Sequence, residues 1–329
     1  MGEGGGALSD PYRPEVTRRE AVLRLSSAAL TAAAVGGGAL FFRDRRAAPA
    51  GAAAVPDWRL PQPAGAPRGV ASRGGDAAAN VRRALAALGG IERFVRPGES
   101  VLIKPNVGWD RLPEQAANTD PQLVAELVRL ARGAGAKRVL VTDISCNDPR
   151  RCFARSGIAA AAAAAGAEVV ESQRLTLVPA SLPGVCGGLE VVSELLRADR
   201  VINVPVVKHH SLSKATLGMK NWFGVLGKGR NRLHQDVTRA LAELGADFRP
   251  TLTVIDATRV LAANGPVGGS LADVRAVGAV AAGTDPVALD AWGASLLGLA
   301  PERLAYLVAA SQAGLGEADP TAVKELGTA

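Results

Sequence analysis

Val101-Leu102-Ile103-Lys104-Pro105-Asn106 is a run of three large apolar residues leading straight into a lysine, a proline and an asparagine. An apolar run of strand length that does not alternate with polar residues suits a strand covered on both faces, as in a parallel sheet between helices. Residues 138–142, 201–207 and 252–255 repeat this character. Between and after these runs lie stretches with helical spacing at 76–88, 121–134, 151–165, 236–244, 286–297 and 301–313. Asp120-Pro121 and Asp285-Pro286 each set a capping carboxylate ahead of a proline in a first helical turn. The alternation predicts an α/β fold: a mostly parallel sheet, helices on both faces, and a ligand crevice at the carboxyl ends of the strands.

The residues that follow each strand therefore matter most. They are Lys104-Pro105-Asn106, Asp143, Lys208-His209-His210 and Asp256. After the third strand come Thr216-Leu217-Gly218-Met219-Lys220-Asn221-Trp222-Phe223-Gly224 and Gly227-Lys228-Gly229-Arg230-Asn231-Arg232-Leu233-His234. All three histidines of the chain fall within residues 209–234. Ammonium, guanidinium and amide donors beside glycines, which let backbone approach closely, suit a carboxylate or phosphate ligand. On this reading the chain is an enzyme in which Lys104, Asn106, Lys220, Asn221 and Arg232 bind an anionic substrate, while Lys208, His209 and His234 carry the chemistry; the alternative is a non-catalytic periplasmic protein that binds an anion or metal with the same residues. A metal ion is the cofactor the same residues would admit, held by His209, His234, Asp143 and Asp256. Plainer roles stand beside these: Asp143 and Asp256 as turn caps or lysine partners, and 228–232 as a solvated basic loop. Lys104 resists a plain role, because a charge at the end of a buried strand needs a partner or a ligand.

The N-terminal part reads as an address. Arg18-Arg19 stand ahead of an uncharged Ala-, Gly- and Leu-rich run over 25–42, the arrangement that a twin-arginine translocase recognises. No charged face runs through that segment, which sets it apart from an amphipathic helix of the fold. Small residues at 48–52 offer a cleavage point, whereas Arg43, Arg45 and Arg46 close behind the apolar run fit a retained membrane anchor equally well. The expected layout is a signal segment over 1–47, a Pro/Ala linker over 48–68 and one α/β domain over 69–329. The expected location is the periplasm or cell envelope.

With 329 residues, 48% of them hydrophobic, the chain can bury a sizeable core. Its 38 basic and 31 acidic residues give +7, without the Lys/Arg run that tracks a nucleic-acid backbone, so nucleic acid is not an expected partner. Cys146, Cys152 and Cys186 are an odd number with no CxxC spacing, which supplies neither a disulfide framework nor the four thiolates of an iron–sulfur cluster.

Taken in order, Val101 to Asn106, Asn118-Thr119-Asp120-Pro121, Lys208-His209, Lys220-Asn221 with Gly224, His234, Gly265-Pro266 and Thr284 to Asp290 resemble the domain of unknown function 362 family over residues 70–300. The resemblance implies site positions at Lys104, Asn106, Lys208, His209, Lys220, Asn221, His234, Asp285 and Asp290. It implies no defined reaction. Some members join this domain to iron–sulfur segments, which this chain lacks.

Overall fold

The computed structural model describes residues 51–327. The twin-arginine segment and most of the expected cleavage region lie outside the described residues. The strands are β1 Gly69–Arg73, β2 Ser100–Pro105, β3 Arg138–Thr142, β4 Glu168–Val170, β5 Leu177–Pro179, β6 Glu190–Val192, β7 Arg200–Val204, β8 Val206–His210, β9 Lys214–Thr216, β10 Leu252–Leu261, β11 Val274–Gly283 and β12 Val323–Glu325. The helices are α1 Ala77–Ala87, α2 Pro121–Gly133, α3 Pro149–Arg155, α4 Ile158–Ala164, α5 Ser193–Leu196, α6 Gly218–Asn221, α7 Val237–Asp247, α8 Pro286–Ser295 and α9 Ala305–Gln312.

The main sheet runs β12-β1-β11-β10-β7-β2-β3-β4. Strands β10, β7, β2, β3 and β4 are mutually parallel, and β11 alone on this path opposes its neighbours β1 and β10. Alternate residues of each strand feed opposite cores. Val101, Ile103, Val139 and Val141 pack with α1, α2 and α4 on one face, while Leu102, Leu140 and Val201 pack with α7 on the other. On that second face, α8 and α9 cover Ala71, Ile255 and Ala281. Burial on both faces explains why these strands read as continuous apolar runs, and it bears out the expected fold class. Among the described residues, no helix is long and apolar enough to cross a membrane.

Three local expectations need correction. The helix expected over 151–165 breaks into α3 and α4 at Gly157, whose φ of 73° no helix interior accommodates. The strand expected over 201–207 breaks at Pro205, which has no N–H to give to a ladder; β8 resumes at Val206 and turns back as a hairpin with β9. Residues 51–68, expected as a linker, lie on the folded body. Ala53 bridges to Ala180 and Asp57 to Arg249. Trp58 is buried, its indole N–H donating to Ala198 O at 2.9 Å. The prolines of this stretch remove helical and strand periodicity, but one buried indole is enough to seat an extended segment.

Candidate functional site

The carboxyl ends of β2, β3 and β8 open into a cleft of about 790 Å³, walled by α6 and by residues 227–234. Beneath its floor lies a buried ion pair. Lys104, 0% exposed, ends β2 and donates to Asp143 Oδ1 at 2.6 Å and Pro105 O at 2.9 Å. The second oxygen of Asp143 accepts the Val107 N–H at 2.7 Å. Burial pulls the Lys104 ammonium below its usual range, against the pull of Asp143. Lys104 was expected to touch substrate; it lies under the cleft instead, because its neighbour at the end of β3 supplies the counter-charge. Gly224 leaves room for this pair: a Cβ there would overlap Asp143 Oδ1 and come within 2.8 Å of Lys104 Nζ.

Above the floor runs a chain of amides. Lys208 Nζ donates to Asn106 Oδ1 at 2.9 Å and to Ala117 O at 2.6 Å. Asn106 Nδ2 donates to Asn221 Oδ1 at 3.0 Å, Asn221 Nδ2 to Asn203 Oδ1 at 2.8 Å, and Asn203 Nδ2 to Gly218 O at 3.0 Å. Each carboxamide is thereby oriented, and together they hold Lys208 against the cleft. Asp290, fully buried in α8, accepts the N–H groups of Gly218 and Met219 at 2.6 and 3.1 Å, which anchors the turn α6 that carries Lys220 and Asn221. Burial raises the Asp290 carboxyl to about 7. Asp285 has a different task, capping α8 through the Val287 and Ala288 N–H groups, and it does not line the cleft.

The cleft is cationic. Lys208, Lys220, Lys228 and Arg230 line it, and among the described residues its one carboxylate, Asp143, is engaged with Lys104. Lys208 is 1% exposed, and burial, with Lys220 and Lys104 adding to it, brings its ammonium down to about 7. Lys220 is 6% exposed and its Nζ sits 4.1 Å from the centre of the Phe223 ring; burial and Arg230 bring it to about 8. Arg230 spends its N–H groups on Phe223 O, Ile144 O and Ser145 O, all neutral acceptors. Cys146 has a free thiol at the same wall.

The histidines sort by strand geometry. Side chains alternate along β8, so Lys208 and His210 face the cleft and His209 does not. His209 Nδ1 instead accepts the Gly265 N–H at 3.2 Å, outside the cleft wall. His209, expected in the cleft, does not line it; its neighbour His210 does. His210 Nδ1 accepts the N–H of Leu212 at 3.1 Å, and burial, helped by Lys220 and Lys208, pushes the ring down to about 3. His234 does line the cleft; its ring is 5.2 Å from that of Phe223 and burial lowers its pKa.

Two further expectations part from the structure. Arg232 gives its guanidinium to the carbonyls of Gly187 and Val185, beneath residues 184–187 and not at the cleft. The metal set does not assemble. Asp256 is 1% exposed and accepts the Asp120 N–H and Thr258, while Asp143 is taken by Lys104 and His209 faces away. Among the described residues, no group of three or more His, Cys, Asp or Glu is placed to hold a metal ion. Asn203, His210 and Arg230 are the site residues that sequence reasoning passed over. An asparagine inside the apolar run Val201-Ile202-Asn203-Val204 was the signal that could have found the first of them.

A family model described as "Domain of unknown function (DUF362)" matches residues 101–295. The "Thylakoid-associated protein sll1697" of Synechocystis sp. is 31% identical over 258 residues, which is 76% of this chain and 78% of that one. Among solved structures, the lactate racemase apoprotein from Thermoanaerobacterium thermosaccharolyticum superposes with a TM-score of 0.42 at 16% identity, over 72% of this chain and 58% of that chain. The family match takes in β3, β8, α6, residues 227–234 and β2 from Val101 onward, which are the elements that build the cleft, and the chain belongs to the DUF362 family.

Proposed function

We propose that the chain is an enzyme acting on a small anionic substrate, a carboxylate or phosphate, seated in the cleft between β2, β8 and α6. The observation that carries this is the unbalanced charge there: Lys208, Lys220 and Arg230 face one cavity whose single carboxylate is engaged below with Lys104. Ammonium groups left without a counter-ion in a largely desolvated wall favour an anion strongly. Lys208 and Lys220, brought down to about 7 and about 8, supply groups able to exchange protons near neutral pH, beyond what mere capture requires.

Oxalate and inorganic phosphate titrated calorimetrically against the protein are expected to bind, and Lys208→Met and Lys220→Met each to weaken binding roughly ten- to a hundredfold, the ~1.5–3 kcal/mol of a hydrogen bond to a charged group. Unchanged affinity in both variants would sink the reading. The pH dependence has a definite sign. Only the ammonium forms attract the anion, so oxalate affinity is highest below the Lys208 value of about 7 and falls as pH rises past it and past the Lys220 value of about 8. We place the protein in the periplasm or cell envelope on the strength of Arg18-Arg19. Replacing both arginines by lysine should leave it in the cytoplasm of the producing cell; undiminished export of that variant contradicts the twin-arginine route.

A further inference from the structure

Four lysines approach the cleft, and three of them are occupied or ordinary. Lys104 is sealed under the floor with Asp143. Lys208 gives its hydrogens to Ala117 O and Asn106 Oδ1. Lys228 stands exposed on the loop between Gly227 and Gly229. Lys220 differs from all three. It is more than nine-tenths buried and lines the cavity, yet among the described residues no carboxylate, carbonyl or amide accepts from its Nζ, which lies 4.1 Å from the centre of the Phe223 ring. A buried ammonium without an acceptor is disfavoured against the free amine, whose lone pair is then available.

We propose that Lys220 is a covalent nucleophile that forms an imine with a carbonyl compound bearing a carboxylate, a 2-oxo acid, in this cleft. The inference rests on the anion-binding reading of the same site. The carboxylate is held by Lys208 and Arg230 while the neighbouring carbonyl carbon meets Lys220 Nζ. A C–N bond forms as the carbonyl π bond breaks onto oxygen. The nitrogen then loses its two protons, the oxygen leaves as water, and amine plus ketone become imine plus water with no oxidant or reductant. Lys220 Nζ lies 4.1 Å and the His234 ring 5.2 Å from the centre of the Phe223 ring. The His234 imidazole, beside the same ring, is the base that in its neutral form takes the proton released from nitrogen. A Lys220 ammonium brought to about 8 leaves an appreciable fraction of free amine near neutrality.

The test is borohydride trapping of the intact protein with pyruvate, with propionate, a carboxylate lacking the carbonyl, as companion probe. The expected result is one adduct per chain, a pyruvate bound as a secondary amine, mapped by peptide mass spectrometry to Lys220 and suppressed by excess propionate. Lys220→Arg keeps the positive charge but has no amine to condense and is expected to lose the adduct; its melting temperature reports that it folds. Pyruvate and propionate both binding, with no adduct on Lys220 or with adducts spread evenly over surface lysines, overturns the imine and leaves the anion site standing. An adduct on Lys220 that propionate does not suppress supports the imine and overturns the carboxylate-binding reading instead.

Discussion

Lys104→Met is expected to destabilise the folded domain by about 3–5 kcal/mol, because it leaves the Asp143 carboxylate buried without its counter-charge. The pair is deep enough for that value to apply: the two side chains are 0% and 3% exposed, and 2.6 Å separates Nζ from Oδ1. Removing both charges together should cost much less, since an apolar pair of similar volume can replace a buried ion pair with little loss. Lys104→Met with Asp143→Leu should still fall short of the parent, because Val107 N–H loses its acceptor, at about 1–3 kcal/mol for an unsatisfied buried donor. Urea unfolding of the parent, both single variants and the double variant closes the cycle. A cost below about 1 kcal/mol for Lys104→Met would mean that the pair is not the floor of the site.

Gly224→Ala is expected to be as damaging, through sterics alone. The added methyl would overlap Asp143 Oδ1 and lie 2.9 Å from Asp143 Cγ and 2.8 Å from Lys104 Nζ. Neither group can retreat: Lys104 is sealed in, and Asp143 is also tied to Val107 N–H. The backbone at 224 is pinned as well, its carbonyl accepting the Ile144 N–H at 2.8 Å. Something must therefore break, and prising the ion pair apart costs about 3–5 kcal/mol. The same shift moves the segment between Lys220 and Arg230, so oxalate binding should be lost along with stability. Retained oxalate affinity at a parental urea midpoint would show that the floor can repack around a methyl group.

The family resemblance and the strand-end pattern drew attention to the right stretches, and six of the expected side chains, Asn106, Asp143, Lys208, Lys220, Asn221 and His234, do line one cleft. What they missed follows from through-space partnership. Lys104 and Asp143 are 39 positions apart and meet only because β2 and β3 are parallel neighbours. Asp290 reaches the N-terminus of α6 from 72 residues away, and nothing local to either segment announces it. Arg230 and Arg232 are two positions apart in one basic loop, yet the first turns to the cleft and the second to the carbonyls of residues 185 and 187.

The sequence by itself determined the α/β class, because strands buried on both faces must be apolar throughout, and it determined that basic and amide residues gather at the strand ends. Tertiary structure alone decided which of them act together. Pro205 ends β7 and resets β8, and the two-residue alternation of that new strand turns Lys208 and His210 inward and His209 out. Asp143 reaches Lys104 and neutralises it, while among the described residues no acidic group reaches Lys220. Whether a lysine is a silent structural cation or a reactive amine depends on its desolvation and its nearest counter-charge, and both are properties of the assembled fold.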